Sequence, residues 1–83
     1  MSTQYPPGWE VVDGALERTF ELPSFREAIA FVNRVADAAE EANHHPDIAV
    51  RYRRVTLRYW THSENAITDR DVAEAARIST LAG

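Results

Sequence analysis

The sequence contains neither cysteine nor lysine, and these absences exclude several kinds of site. Without cysteine, the chain has no disulfides and no thiolate ligands for a metal. Every basic residue is an arginine, and acidic residues outnumber the arginines, which gives a formal net charge of −4. A chain with this charge balance is not expected to take nucleic acid as its main partner.

Long apolar runs are also missing, and the N-terminus lacks the basic-then-apolar pattern of a signal peptide. No segment approaches the roughly 18 apolar residues of a membrane span, so we expect a cytoplasmic protein with no membrane partner. The 83 residues are enough for one domain over 1–83, with an extended or disordered lead-in over 1–7. A domain of this size buries only about 60–65% of its unfolded surface, so oligomerisation would add stability.

Apolar periodicity predicts six elements in the order strand, strand, helix, strand, strand, helix. The first hairpin has strands over 9–12 and 15–22, joined by Asp13-Gly14, which is typical of a type I′ turn. A capping box over 24–27 precedes a helix that should end near Ala42. The predicted buried stripe of this helix comprises Phe25, Ala28, Ile29, Val32, Val35, Ala36 and Ala39, with Phe31 beside it.

The second hairpin is predicted over 48–52 and 55–60, with Arg53-Arg54 as its connection. A loop over 64–67 leads to a second capping box, Thr68-x-x-Asp71, and to an alanine-rich helix. Helices segregated on one side of antiparallel strands make an α+β fold. The predicted fold is therefore a four-stranded antiparallel sheet with helices packed on one face, in the order ββαββα.

All three histidines lie in one stretch between Glu40 and Asp71. Histidine is the side chain whose ordinary pKa lies near neutrality, so histidines beside carboxylates are suited to general acid–base catalysis. Adjacent residues on an extended backbone point in opposite directions, so at most one of His44 and His45 faces a given pocket directly. Strand alternation predicts that His62 lies on the same side as Trp60.

Several of these residues also have ordinary structural interpretations. Asp71, as the third residue of a capped helix, needs no catalytic role, and Glu40 fits an exposed helix surface. Trp9 and Trp60 fit a core or an interface, or a surface that stacks on a planar heterocycle. A metal site is disfavoured, because there is no His-x-x-x-His pair and no carboxylate at a ligand spacing. Four arginines form either a solvated strand face or an anion- or partner-binding patch: Arg51, Arg53, Arg54 and Arg58.

The chain resembles the pterin-4a-carbinolamine dehydratase family in several motifs at matching spacing. These motifs are Glu40-x-x-Asn43-His44-His45-Pro46, Tyr52, Thr61-His62 and Thr68-x-x-Asp71, with outlying matches at Gly8-Trp9, Leu22–Phe25 and Ala28–Val35. The resemblance implies dehydration of 4a-hydroxytetrahydrobiopterin to quinonoid dihydropterin and water, within tetrahydrobiopterin recycling for an aromatic amino acid hydroxylase. It also implies a pterin substrate, no cofactor and a homodimer or tetramer.

In the family, the first histidine of the pair and the histidine of Thr-His act as acid and base. Carried over, His44 and His62 transfer protons and His45 helps to bind substrate, while Asp71 and Glu40 match the family's acidic residues. The predicted catalytic residues are His44, His45, His62 and Asp71. The predicted substrate-binding residues are Asn43, His44, His45, Trp60, Thr61, His62, Glu40 and Trp9.

The chain departs from the family pattern directly after Thr61-His62. Ser63 replaces an acidic residue, and Asn65-Ala66-Ile67 replaces Gly-Gly-Leu, so His62 is expected to shift. Some relatives act by stabilising partner proteins, among them transcription factors and carboxysome-associated assemblies. The alternative prediction is therefore a non-catalytic protein-binding or assembly module on the same fold.

Overall fold

The computed structural model describes residues 5–82, so residues 1–4 of the predicted lead-in lie outside the described part of the chain. Six elements follow one another in the predicted order: β1 (Glu10–Val12), β2 (Ala15–Glu21), α1 (Phe25–Ala42), β3 (Asp47–Arg51), β4 (Arg54–Tyr59) and α2 (Asp69–Leu81). The strands form one antiparallel sheet in the order β1-β2-β4-β3. The predicted α+β fold is confirmed.

The core lies between one face of the sheet and the two helices. Alternate residues of β2 and β4 supply the sheet side, and small or apolar residues of α1 and α2 supply the helix side. The largest fully buried apolar side chains are Tyr59, Phe31, Leu16, Leu57, Ile78, Val35 and Val55. No helix within residues 5–82 is long and apolar enough to cross a membrane.

The two hairpins differ in how well their turns follow the prediction. Asp13 and Gly14 have φ values of 49° and 80°, which confirms the predicted turn with two residues at positive φ. In the second hairpin Arg51 pairs with Arg54, so the turn is Tyr52-Arg53 and the predicted connection was one residue too late. Tyr52 was predicted to be the last residue of this strand. In the structure it lies in the turn instead, with φ 55° and 72% exposure.

Helix α1 buries only part of the predicted stripe, namely Ala28, Val35 and Ala39. Phe31 is fully buried, whereas Phe25 and Ile29 are 51% and 37% exposed, and Ala36 is also exposed. The predicted stripe was therefore wrong at these positions. The helix is apolar over a wide arc, and packing on the sheet selected the side that carries Phe31, which contacts Phe20 of β2.

Candidate active site

Helix α1 ends in a turn that sends the two adjacent histidines in opposite directions. Asn43 takes a left-handed conformation with φ 51°. The N–H of His44 then donates back to the carbonyl of Ala39 at 3.1 Å, which closes the helix end. His44 is consequently buried, with 7% exposure, whereas the side chain of His45 is 53% exposed.

His44 is held by a buried carboxylate. Its Nε2 lies 2.5 Å from Oδ1 of Asp71, 27 residues further along the chain. The other oxygen of Asp71 accepts hydrogen bonds from the Thr61 hydroxyl and the Thr68 N–H, both at 2.9 Å. A carboxylate only accepts, so Nε2 of His44 is the donor and its Nδ1 is the nitrogen left to exchange a proton.

Asp71 has two structural partners at once, and its predicted catalytic role stays a prediction. With Thr68 it forms the capping box that begins α2, and it is also the partner of His44. Its side chain is fully buried. A buried charge requires this full set of partners, because an unpaired carboxylate would be costly to desolvate. The start of α2 and the orientation of His44 therefore depend on one side chain.

His62 lies in a tight turn that follows β4. Its ring stacks on Trp60 with centroids 4.3 Å apart and 9° between the planes, on the side that alternation predicted. Thr61 pairs with Ala66 across the turn, and Asn65 takes φ 50°. Asparagine tolerates left-handed conformations, so Asn65 accommodates the loss of glycine in this turn. The stack on Trp60 gives His62 a defined orientation.

The two histidine segments meet at one cavity of about 320 Å³. Its wall comprises Asn43, His44, His45, Thr61, His62, Ser63 and Arg70. Five of these are predicted site residues. Ser63 and Arg70 were not predicted, and the only sequence signal for Arg70 was its place beside Asp71 in the first turn of α2.

Two further predicted residues contact the wall from outside it. Glu40 Oε2 lies 2.5 Å from Nε2 of His45, with both side chains exposed. Trp60 supports His62 through its ring and does not itself line this cavity. A role for Glu40 and Trp60 in substrate binding stays a prediction. Each residue is linked to the cavity only indirectly, Glu40 through His45 and Trp60 through His62.

Trp9 lies in the core instead of at the cavity. It is 7% exposed and its indole N–H donates to the hydroxyl of Ser79 at 2.9 Å. Its ring packs at an angle to Phe20 and Tyr59. A role for Trp9 in substrate binding stays a prediction, and Trp9 does not line the cavity.

Tyr59 supports His44 from the core side, although the sequence indicated only an apolar strand position. The two rings stack with centroids 5.6 Å apart. Burial raises the pKa of Tyr59 above its ordinary value, and the carboxylates of Glu74 and Asp71 raise the pKa further. The phenol therefore stays neutral, so Tyr59 acts as a packing surface for the imidazole and not as a proton donor.

The cavity wall is suited to proton transfer. It holds three imidazoles, one of them with its tautomer fixed by Asp71, and it contains no carboxylate. Within residues 5–82, no three histidine or acidic side chains are arranged to hold a metal ion. The chemistry available to these residues is giving and taking protons on a bound molecule.

The chain is a small α+β domain with the element order ββαββα. Its three histidines line one cavity, and this site is equipped for acid–base chemistry. The family model for pterin 4 alpha carbinolamine dehydratase matches residues 1–81. The chain therefore belongs to this family, which confirms the resemblance seen in its motifs.

The similarity to individual relatives extends over almost the whole chain. A protein of Thermomicrobium roseum, provisionally named pterin-4-alpha-carbinolamine dehydratase, is 57% identical over 76 residues, which is 92% of this chain and 82% of the relative. A protein of Herpetosiphon aurantiacus with the same provisional name is 51% identical over 74 residues, covering 89% of this chain and 77% of the relative.

Two solved structures share the fold. A transcriptional coactivator/pterin dehydratase from Brucella melitensis superposes with a TM-score of 0.88 at 37% identity, covering 93% of this chain and 84% of that one. A pterin dehydratase-like protein, identified as a RuBisCO assembly factor in the alpha-carboxysome, superposes with a TM-score of 0.75 at 25% identity. It covers 90% of this chain and 87% of its own. The second of these similar structures is thus described by an assembly role.

Proposed function

We propose that this protein is a 4a-hydroxytetrahydrobiopterin dehydratase, a hydro-lyase that converts the carbinolamine to quinonoid dihydropterin and water. The observation that carries the proposal is the shared cavity. His44, His45 and His62 all line it, and His44 is fixed by the buried carboxylate of Asp71. Membership of the family supports the choice of a pterin as the substrate.

The proposed reaction needs only proton transfers. The hydroxyl on C4a receives a proton and leaves as water with the electron pair of the C–O bond. N5 loses its proton, and the electron pair of that N–H bond forms the double bond between N5 and C4a, so nothing is oxidised or reduced. His44 and His62 exchange these two protons with the substrate while His45 helps to bind it. Acid–base help of this kind is worth about 10²–10⁴-fold in rate.

An assay of carbinolamine dehydration tests the proposal. A hydroxylase generates the carbinolamine, and the formation of quinonoid dihydropterin is followed with and without the protein. The protein should accelerate this step, and His44→Ala should lose most of the acceleration because it removes a proton-transfer group. The control is Asn33→Ala, which changes an exposed polar residue of α1. No acceleration over buffer by the parent protein would contradict the proposal.

The proposed cellular role follows from the reaction. A cytoplasmic dehydratase would pass quinonoid dihydropterin to a reductase that restores the tetrahydropterin for an aromatic amino acid hydroxylase. The pterin is then a substrate for this protein, which needs no cofactor of its own.

We further propose that two copies of the chain pair through β3. This strand forms one edge of the sheet, and all five of its residues are exposed. Its sequence is self-complementary when two copies run antiparallel about Ala49. Asp47 of each copy then faces Arg51 of the other, and Ile48 faces Val50, so opposite charges and apolar side chains meet.

A second candidate function is a non-catalytic assembly module. The structural likeness to the RuBisCO assembly factor supports it, as does the changed turn over 63–67. Under this candidate, the parent protein would show no dehydratase activity. It would bind a defined partner equally well with and without His44 and His62. The preserved histidine cavity makes the dehydratase the better-supported function.

A further inference from the structure

The cavity wall has a charge character opposite to that of the whole chain. The chain has a formal net charge of −4. The wall, however, carries the guanidinium of Arg70 and three imidazoles, and no carboxylate. Two acidic side chains beside the wall are engaged by wall residues, since Glu40 bonds His45 and Asp71 bonds His44. Of the residues that line the cavity, Arg70 is therefore the one with a permanent charge, and that charge is positive.

Arg70 is the permanent charge in this wall, and its charge is not neutralised. One guanidinium N–H donates to the carbonyl of Asn43 at 3.0 Å, which uses only part of its donor capacity. Within residues 5–82, no carboxylate lies within ion-pair distance of Arg70. The remaining N–H groups are free to bind an acceptor, and a guanidinium fork matches carboxylate or phosphate best.

The burial of the wall residues gives the cavity a deep end and a rim. His44 is buried, while Ser63 and Arg70 are exposed. A cavity of about 320 Å³ accommodates a small bicyclic ring with a short substituent. A pterin whose reacting ring lay against the buried His44 could extend its substituent towards the exposed Ser63 and Arg70.

We propose that the cavity prefers pterins whose side chain carries an anionic group, either a carboxylate or a phosphate, and that Arg70 binds that group. This inference rests on the proposed function, because it takes the ligand to be a pterin. It adds a preference for acidic pterins to the proposed activity on the neutral biopterin carbinolamine. Arg70 acts as a specificity residue and takes no part in proton transfer.

Binding measurements with stable dihydropterins test the inference without relying on turnover. Calorimetry on the parent protein compares dihydrobiopterin, whose side chain is neutral, with dihydroneopterin phosphate and with a carboxylated pterin. The anionic ligands should bind about fivefold to tenfold more tightly, as expected for a solvent-accessible charge-assisted contact. This preference should shrink as salt is added. The affinities of the phosphorylated and the carboxylated pterin, compared with each other, show which of the two anions the site prefers.

Three variants separate recognition of the anion from effects on the loop. Arg70→Gln should remove the preference by weakening the anionic ligands much more than dihydrobiopterin, whereas Arg70→Lys should keep part of the preference. Arg34→Gln is the matched control, because it removes one positive charge from an exposed position of α1 that does not line the cavity. It should keep the full preference.

Equal affinities for neutral and anionic pterins in the parent protein would overturn the inference and leave the dehydratase proposal standing. The same conclusion follows if Arg70→Gln weakens all three ligands equally, since that result indicates a displaced Asn43 loop. If no pterin binds the parent protein, the dehydratase proposal fails together with the inference.

Discussion

Asp71 links the stability of the fold to the geometry of the site. One fully buried carboxylate accepts from His44, from the Thr61 hydroxyl and from the Thr68 N–H. The last of these bonds begins α2, and the first selects which nitrogen of His44 is available to a substrate. A change at Asp71 should therefore be visible in both stability and activity.

Asp71→Asn should lower kcat/KM by roughly 10²-fold or more, because His44 would lose its fixed tautomer. The asparagine carbonyl can keep the bond to Thr68, so its NH₂ group would face Nε2 of His44 and force that nitrogen to accept. The free energy of unfolding should fall by about 1–3 kcal/mol, since a buried hydrogen-bond network loses a charged member. Urea unfolding and the dehydration assay measure the two effects.

The control for Asp71→Asn is Asp69→Asn, an exposed residue in the same first turn of α2. It should keep kcat/KM near the parent value. Full activity in Asp71→Asn, with the fold intact by circular dichroism, would show that the bond to His44 does not matter for proton transfer.

At the residue scale, the sequence predicted which side chains form the site better than how they contact one another. Alternation correctly placed His62 beside Trp60, and the opposed directions of His44 and His45 also followed from local geometry. Which of the two adjacent histidines turns inward depends on the left-handed Asn43, and that conformation was not predicted. Arg70 was missed because no motif distinguishes a wall residue from an exposed helix residue.

At the scale of elements, β3 is the part of the fold whose environment is least complete within one copy. Ile48 and Val50 pair with Leu57 and Val55 of β4, yet they remain 38% and 37% exposed. An edge strand with apolar side chains and free backbone groups is a ready partner for another strand. The antiparallel pairing about Ala49 would cover these side chains and match the charges at both ends.

Val50→Lys tests the pairing of two copies through β3. A lysine on an edge strand opposes strand addition, because its charge would have to be buried opposite Ile48. Sedimentation should show a dimer for the parent protein and a dimer weakened by at least about tenfold for the variant, an estimate based on an unpaired charge at an interface.

The matched control is Val11→Lys, which introduces the same side chain at an exposed position on β1, the opposite edge of the sheet. It should leave the dimer unchanged. A parent protein that stays monomeric, or a Val50→Lys variant that associates like the parent, would exclude this interface.

Element boundaries were predictable where local chemistry fixed them. The cap at Ser24 and the turn at Asp13-Gly14 follow from residue types with few alternatives. The buried face of α1 and the position of the second turn were not predictable, because they depend on tertiary packing and strand register. The apolar residues of α1 allow two faces, and only docking on the sheet selects the one with Phe31.

At the scale of the whole molecule, the site exists because the strand order brings distant segments together. His44 precedes β3 and His62 follows β4, and these two strands are paired neighbours. An antiparallel pair returns the chain to the end from which it started, so the two histidine segments meet. The predicted ββαββα order was sufficient for this meeting, whereas the size of the cavity and the place of Arg70 in its wall required the structure.

The most direct measurement of the central claim is a double-mutant cycle between His44→Gln and His62→Gln in the dehydration assay. If the two imidazoles serve one reaction in one cavity, each variant should lose roughly 10²-fold or more in kcat, and the double variant should lose little beyond the larger single loss. Losses that multiply would instead indicate two independent contributions. Single variants that keep the parent rate would contradict the proposed chemistry itself.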